Sequence, residues 1–234
     1  MKIKRTGKII FGIFVLILLG SLLWIINQPN DQKKQLMTEN ENAIQNVDAF
    51  DFEPVRGIDK TDWTWGKEDA PLELIVYNDL SCLFCNRFNE VVEQIKKEFP
   101  DQVRIAYRHY PLDGKPESIT LSVATECAGA QDKFQEMYQG IMKAEEKTGS
   151  LEQLITDLKL DEKKFEKCLT KDKNQDKVMA QKQEALRFGV LGAPSSFLNE
   201  QSLPGAYQFE DFQDEQGNQY SGLKTLILQK LSGQ

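Results

Sequence analysis

Two cysteines separated by two residues, Cys82 and Cys85, lie between an apolar strand pattern and a helical pattern. The apolar run from Leu72 to Tyr77 predicts a buried strand, and the apolar residues after Cys85 are spaced three and four apart, which predicts one face of a helix. That face consists of Phe88, Val91, Val92 and Ile95. The chain is therefore expected to turn from strand into helix at the cysteines, with both sulfurs on one side of the first helical turn.

This placement predicts a reactive first thiol. The backbone N–H groups at the start of a helix are unpaired and favour negative charge, so they stabilise a thiolate at Cys82. A cysteine with a stabilised thiolate is a nucleophile at neutral pH. Cys85 lies one turn further along, where its sulfur can attack a mixed disulfide formed on Cys82 and resolve it.

Other interpretations of the pair are disfavoured. A zinc site needs a second pair of cysteines or histidines at matching spacing, whereas Cys127 and Cys168 stand alone and His109 is the single histidine. An inert structural disulfide is the stronger competitor, but the position after a buried strand and at a helix start favours a redox-active pair. We therefore expect no metal and no cofactor. His109 could act as a base, but a histidine hydrogen-bonded beneath the site is the preferred interpretation.

The first 26 residues predict a membrane anchor. Residues 1–8 carry four basic side chains and no acid, and residues 9–26 carry no charge. As a helix, residues 9–26 cover about 27 Å, close to the hydrocarbon thickness of a bilayer. A cleaved secretory signal is the alternative, but the run ends without a small-residue cleavage pattern. Because basic flanks stay in the cytoplasm, we expect a cytoplasmic tail, a single transmembrane signal anchor in the cell membrane, and the rest of the chain on the extracytoplasmic side.

Residues 27–55 are polar and predict a linker, and residues 56–234 have the length of one domain. The whole chain has a net charge of −7, and the predicted exported part is still more acidic because the tail is basic. An acidic surface argues against a nucleic-acid partner. The four cysteines suit an exported protein, since disulfides persist outside the cytoplasm. We expect a monomer.

Further elements follow the predicted helix. The alternating segment Val103 to Tyr107 predicts a second strand, parallel to the first because a helix joins them. Residues 116–188 are helical by pattern, without a strand signal. A Gly-Ala-Pro sequence ending at Pro194 closes this block, and residues 195–198 predict a short strand. The last predicted helix runs from Leu223 to Leu231.

This order of elements and motifs resembles the DsbA-like family of thioredoxin-fold thiol–disulfide oxidoreductases. The matching segments lie between Trp63 and Gln234. They are Gly66 with Ala70-Pro71, Asp79 with Cys82-Leu83-Phe84-Cys85, Arg108 to Leu112, Glu126 to Ala128, and Gly189 to Pro194. The resemblance implies an α/β thioredoxin fold, in which a mixed sheet of four or five strands is flanked by helices. It also implies an inserted helical domain at about residues 116–188, and the predicted transmembrane helix precedes this fold.

The resemblance further implies roles for single residues. Cys82 is the sulfur that attacks or is attacked, and Cys85 is its buried partner. Pro194 is the cis proline that faces the pair, and Ala193 offers its backbone to an extended substrate. The expected activity is that of an oxidase that introduces disulfides into exported, cysteine-containing proteins, with a membrane redox partner of the DsbB or VKOR type. A reductase or isomerase of exported thiols, and a non-catalytic thioredoxin-fold binding module, remain as alternatives.

Two positions depart from the family pattern. Leu83 follows the first cysteine where the family usually has proline, and leucine restores a backbone N–H that proline lacks. Val76 lies six residues before Cys82, where many members have a buried acid that shifts thiol pKa values. The direction of exchange, oxidation or reduction, therefore stays open at this point.

Cys127 and Cys168 are predicted to form a second disulfide. Both lie on apolar helical faces, and once Cys82 and Cys85 are paired no other pairing remains. The bond would close a loop of about forty residues. The alternatives are two free buried thiols, which pack as small apolar side chains, or a pair that relays electrons to Cys82.

Overall fold

The computed structural model of the protein describes residues 52–233. The predicted tail (1–8), the predicted anchor (9–26) and most of the predicted linker (27–55) lie outside these residues. Within residues 52–233, none of the helices combines the length and the apolar character that crossing a membrane requires.

A five-stranded mixed sheet lies at the centre of the described part, with the strand order β1-β3-β2-β4-β5. The strands are β1 (Trp63–Trp65), β2 (Leu72–Asn78), β3 (Val103–His109), β4 (Ser195–Leu198) and β5 (Gln201–Pro204). β2 and β3 run parallel because a helix joins them, and the other three pairings are antiparallel. The predicted α/β architecture with a mixed sheet is confirmed.

Seven helices surround this sheet in the part of the chain that the structure describes. They are α1 (Leu83–Glu98), α2 (Pro116–Gly129), α3 (Phe134–Lys143), α4 (Leu151–Asp157), α5 (Glu162–Leu169), α6 (Asp172–Arg187) and α7 (Leu223–Ser232). Helices α2 to α6 follow one another between β3 and β4, so the chain leaves the sheet for a helical block and then returns to it.

The sheet is buried on both faces, and β2 shows how. Alternate residues of a strand point to opposite faces. Leu74 and Val76 belong to the apolar core that includes α1 and the helical block, whereas Ile75 and Tyr77 pack on the other side with residues of α6 and β4. All four side chains are fully buried. A strand covered on both faces reads as a continuous apolar run, which explains the pattern from Leu72 to Tyr77.

Several short strands were not predicted from the sequence. β1 has three residues and is held by antiparallel pairing with β3. β5 has four residues, of which only Leu203 is buried. A two-stranded ribbon of β6 (Phe212–Gln213) and β7 (Gln219–Tyr220) lies between β5 and the last helix. Segments this short carry too few residues to show alternation. Pairing with a neighbouring strand determines their extended conformation.

Candidate active site

The two cysteines of the strand-to-helix turn lie at the start of α1. Cys82 is the N-cap residue of this helix, and Cys85 lies in its first turn. Cys82 is 6% exposed and Cys85 is 0% exposed, so the first sulfur is the more accessible of the two. Both are free thiols in this structure.

The surroundings of Cys82 favour its thiolate. A hydrogen bond from the Cys85 thiol and further ones from the backbone N–H groups of Cys85 and Phe84 lower the pKa of Cys82 to about 6. Burial and the nearby charge of Asp79 act in the opposite direction but are outweighed. Cys82 is therefore ionised at neutral pH, the state in which a cysteine reacts.

Cys85 has the opposite character. Burial raises its pKa far above the ordinary value, and the hydrogen bond that it donates to Cys82 raises the pKa further. The backbone N–H of Asp79 donates to Cys85 Sγ over 3.4 Å. In the reduced pair the negative charge therefore resides on the outer sulfur, and the inner sulfur keeps its proton.

The segment before β4 lies against the outer sulfur. In the antiparallel pairing of β4 with β2, Ser195 is opposite Tyr77, so the residues just before Ser195 lie beyond the end of β2, where the cysteines begin. Cys82 Sγ lies 3.7 Å from the carbonyl oxygen of Ala193. The peptide bond between Ala193 and Pro194 is cis. The sheet thus brings together cysteines and a Gly-Ala-Pro segment that are more than a hundred residues apart in sequence.

Large exposed apolar side chains lie close in sequence to the two cysteines and to Ala193. Leu83 and Phe84, the two residues between the cysteines, are 62% and 57% exposed. Leu191, two residues before Ala193, is 81% exposed. Large apolar side chains exposed beside a reactive group are typical of a surface that binds other proteins.

Asp79 supports the turn that carries Cys82. Its buried carboxylate accepts hydrogen bonds from the backbone N–H groups of Ser81 (2.7 Å) and Leu112 (2.8 Å) and from the hydroxyl of Ser118 (2.7 Å). Three donors satisfy both oxygens, so Asp79 fixes the chain between β2 and α1. The bond to the residue two positions later is an Asx turn, a local signal that the Asp-Leu-Ser sequence carries.

His109 is held by a buried carboxylate. Its ring Nε2 lies 3.2 Å from Glu126 Oε1, and both side chains are buried. Glu126 also accepts hydrogen bonds from Trp63 Nε1 (2.9 Å) and Lys177 Nζ (2.6 Å). This agrees with the hydrogen-bonded histidine that the sequence favoured. Within residues 52–233, no group of three or more His, Cys, Asp or Glu side chains is arranged to hold a metal ion.

The second pair of cysteines is bonded in the structure. Cys127 of α2 and Cys168 of α5 form a disulfide with a Cα–Cα distance of 5.6 Å. Asn174 Nδ2 donates to the carbonyl oxygen of Cys168 over 2.8 Å. The four cysteines therefore divide into one free pair at the helix start and one disulfide within the helical block.

Comparison with known proteins places the chain in a family. A family model described as Thioredoxin matches residues 59–215, more than half of the chain. This chain belongs to the thioredoxin family. One relative of this thioredoxin-family chain is the Probable disulfide bond formation protein D of Bacillus anthracis, which is 26% identical over 213 residues, covering 85% of this chain and 88% of that protein. The predicted membership of a thioredoxin-fold family is confirmed.

Two further matches differ in extent. The Na(+)/H(+) antiporter NhaA 1 of Mycobacterium sp. (strain KMS) is 39% identical over 85 residues, which cover 36% of this chain. The match spans only 14% of the length of that curated relative. The crystal structure of BdbD from Bacillus subtilis in its oxidised form superposes with a TM-score of 0.57 and 20% identity, covering 65% of this chain and 89% of that one. The similarity to BdbD is therefore a similarity of fold.

Proposed function

We propose that the protein is an extracytoplasmic oxidase that introduces disulfides into exported proteins by exchange at Cys82 and Cys85. The observation that carries this proposal is the environment of Cys82, whose pKa is lowered to about 6 while its partner is buried. A stabilised thiolate favours the reduced form of the pair over the disulfide. The disulfide is therefore the more readily reduced, which makes it an oxidant of substrate thiols.

The exchange proceeds in two steps. A substrate thiolate attacks Cys82 Sγ of the oxidised pair, the bond between Cys82 and Cys85 breaks, and Cys85 Sγ leaves with the electron pair. A second substrate thiolate then attacks the substrate sulfur of this mixed disulfide, and Cys82 leaves as a thiolate. Its low pKa makes Cys82 a good leaving group. Two electrons pass from the substrate to the pair, and the substrate gains a disulfide.

Substrates are held next to Cys82 by backbone pairing and apolar contact. The backbone of Ala193, whose carbonyl oxygen lies 3.7 Å from Cys82 Sγ, pairs with an extended segment of the substrate, and Pro194 borders this place. The exposed side chains of Leu83, Phe84 and Leu191 contact apolar residues that an unfolded protein exposes. Neither contact depends on a particular substrate sequence, which suits a general oxidase of cysteine-containing exported proteins.

The proposed setting is the outer side of the cell membrane. Residues 1–8 form a cytoplasmic tail, residues 9–26 an uncleaved anchor, residues 27–55 a linker and residues 56–234 the catalytic domain, with the helical insertion at about residues 116–188. A membrane partner of the DsbB or VKOR type reoxidises the pair, and the protein works as a monomer. N-terminal sequencing of the protein from the membrane fraction tests this arrangement, because a mature chain that begins after residue 27 would show a cleaved signal instead.

The activity is tested with reduced, unfolded ribonuclease A as substrate. The oxidised protein is expected to restore ribonuclease activity, Cys82→Ser is expected to abolish the effect, and Cys85→Ser is expected to accumulate a mixed disulfide in the reverse exchange with an oxidised substrate. A Cys127→Ala, Cys168→Ala double variant is the control and should retain activity. Rapid reduction of insulin with no oxidation of ribonuclease would identify a reductase and contradict the proposal.

A further inference from the structure

A lysine from the helical insertion reaches the helix that carries the reactive cysteines. Lys147 follows α3, and its Nζ donates to the side-chain oxygen of Asn86 over 3.1 Å. Asn86 is the residue directly after Cys85. The same amine donates to the backbone oxygens of Ile141 (2.9 Å) and Met142 (3.1 Å), near the end of α3. Three acceptors therefore fix this half-buried cation next to the first turn of α1, which carries Cys85.

The amine also borders a cleft that leads to the start of α1. The cleft has a volume of about 1020 Å³ and is lined by Lys147 together with Ser81 and Leu83, the two neighbours of Cys82 in the chain. The other charged side chains on its walls are Arg87, Glu90, Glu93, Lys143 and Glu145. The cleft therefore borders both the active-site turn and the lysine.

Cys85 needs a positive charge nearby when it ionises. Its sulfur must carry the electron pair that leaves the disulfide, yet it is fully buried. Asp79 and the Cys82 thiolate both raise the pKa of Cys85, and Tyr138 of α3, whose pKa is itself raised by burial, supplies no positive charge. The strand position six residues before Cys82 holds the uncharged Val76.

Lys147 favours the charged form of Cys85, whereas Asp79 and the Cys82 thiolate disfavour it. Burial lowers the pKa of Lys147, and the electrostatic interaction with Cys85 counteracts this by raising it. Because such an interaction is mutual, the lysine charge lowers the free energy of the Cys85 thiolate by the same amount. The insertion thus supplies a cation whose charge acts on Cys85.

We propose that Lys147 stabilises the thiolate of Cys85 and thereby accelerates both its release from the disulfide and its attack on a mixed disulfide. This inference rests on the proposed function of the pair. In the oxidising direction the Cys82–Cys85 bond breaks, Cys85 takes the electron pair, and its thiolate then accepts a proton from water. In the reverse direction the Cys85 thiol gives its proton to water and attacks Cys82 Sγ, which releases the substrate thiolate. Lys147 keeps its own proton throughout and is a positioning residue.

Lys147 also has a structural role that the test must separate. Its bonds to Ile141 and Met142 cap the last carbonyl groups of α3, as basic side chains commonly do. Capping needs a hydrogen-bond donor, whereas stabilising Cys85 needs a charge. Lys147→Gln keeps a donor and loses the charge, and Lys147→Arg keeps both. Lys143→Gln is the matched control, because it removes an exposed lysine from the same cleft.

The experiment follows the reaction of the reduced full chain with 5,5′-dithiobis(2-nitrobenzoate) by stopped-flow absorbance over a range of pH. The first phase forms the mixed disulfide on Cys82, and the second phase releases another thionitrobenzoate when Cys85 attacks. Lys147→Gln is expected to slow the second phase about three- to tenfold at every pH below the pKa of Cys85, because loss of the nearby charge raises that pKa and lowers the thiolate fraction. The first phase should stay unchanged. Lys147→Arg and Lys143→Gln should both match the unmodified protein in both phases.

Three results would overturn the inference about Lys147. The first is an unchanged second phase in Lys147→Gln, and the second is equal slowing in Lys143→Gln, which would indicate a general effect of charge in the cleft. The third is a second phase that slows as much in Lys147→Arg as in Lys147→Gln, which would indicate altered packing rather than a lost charge. A missing first phase in the unmodified protein would instead contradict the proposed function, because that phase reports Cys82 alone.

Discussion

At the scale of residues, the difference in ionisation between Cys82 and Cys85 arises within a single helical turn. Cys82 accepts hydrogen bonds from the Cys85 thiol and from the backbone N–H groups of Cys85 and Phe84, which lower its pKa. Cys85 is enclosed, and burial raises its pKa. The sulfur with the lower pKa is therefore also the one with the greater exposure, as an exchange reaction with another protein requires.

The first prediction concerns the thiolate of Cys82. In the reduced protein, the rate of alkylation by iodoacetamide should rise with pH around a midpoint near 6, because only the thiolate reacts. Cys85→Ala removes the thiol that donates to Cys82, so its midpoint should lie higher. Mass spectrometry identifies the alkylated cysteine. A midpoint at or above about 8.5, the value of a free cysteine, would contradict the mechanism.

The second prediction concerns the buried carboxylate of Glu126. Burial alone raises its pKa, but the hydrogen bond with His109 and the charge of Lys177 outweigh burial and lower the pKa to about 2. The pKa in the folded state is thus below that in the unfolded state. The ionised carboxylate stabilises the fold fully above the unfolded pKa, and this contribution is lost as the pH falls towards about 2.

Glu126→Gln tests this contribution through urea unfolding at neutral and at acid pH. The variant should lose about 2–3 kcal/mol of unfolding free energy at neutral pH, because charged hydrogen bonds become neutral ones. The difference from the unmodified protein should shrink at about pH 3, where that protein has lost part of its own contribution. An equal loss of free energy at both pH values would show that the carboxylate charge makes no difference. Glu136→Gln, on an exposed ion pair of α3, is a suitable control.

At the scale of elements, the disulfide between Cys127 and Cys168 ties α2 to α5. It closes a loop between residues 41 positions apart, for which chain entropy gives a stabilisation of up to about 4 kcal/mol. The Cys127→Ala, Cys168→Ala variant should therefore melt at a lower temperature and retain most of its oxidoreductase activity. Calorimetry and the ribonuclease assay check the two parts. An unchanged melting temperature would contradict the stabilising role, and lost activity in a folded variant would assign the pair to the exchange itself.

The elements predicted from the sequence were those with long patterns. β2, α1, β3 and the helical block carry enough residues for apolar periodicity to appear. β1, β5 and the ribbon of β6 and β7 do not, because two to four residues fit any period and tertiary pairing determines them. β4 is as short as β5 but was predicted, because the Gly-Ala-Pro sequence before it marks the end of the helical block.

The same limit applies to the candidate site. Cys82 and Cys85 are close in sequence, so their spacing and the flanking elements were enough to predict them. The contact of Ala193 with Cys82 was inferred only through the family resemblance, since it joins residues 111 positions apart. Lys147 could not be found at all, because its bond to Asn86 spans 61 positions and no local pattern records it.

At the scale of the whole molecule, the direction of exchange depends on the balance between the reduced and oxidised pair. The hydrogen bonds to Cys82 favour the reduced form, whereas the burial of Cys85 works against ionisation of the inner sulfur. Leu83 in place of the family's proline and Val76 in place of a buried acid change this balance relative to other members. All these contributions are expressed in one quantity, the reduction potential of the Cys82–Cys85 couple.

Measuring that potential decides whether the pair acts as an oxidant or as a reductant. The Cys127→Ala, Cys168→Ala variant, in which a single couple remains, is equilibrated in glutathione buffers of known ratio, and the free thiols are counted by alkylation and mass spectrometry. Each 30 mV corresponds to about 1.4 kcal/mol for two electrons. We predict a potential less negative than about −180 mV, as an oxidase requires. A potential near that of thioredoxin, about −270 mV, would contradict it and identify a reductase.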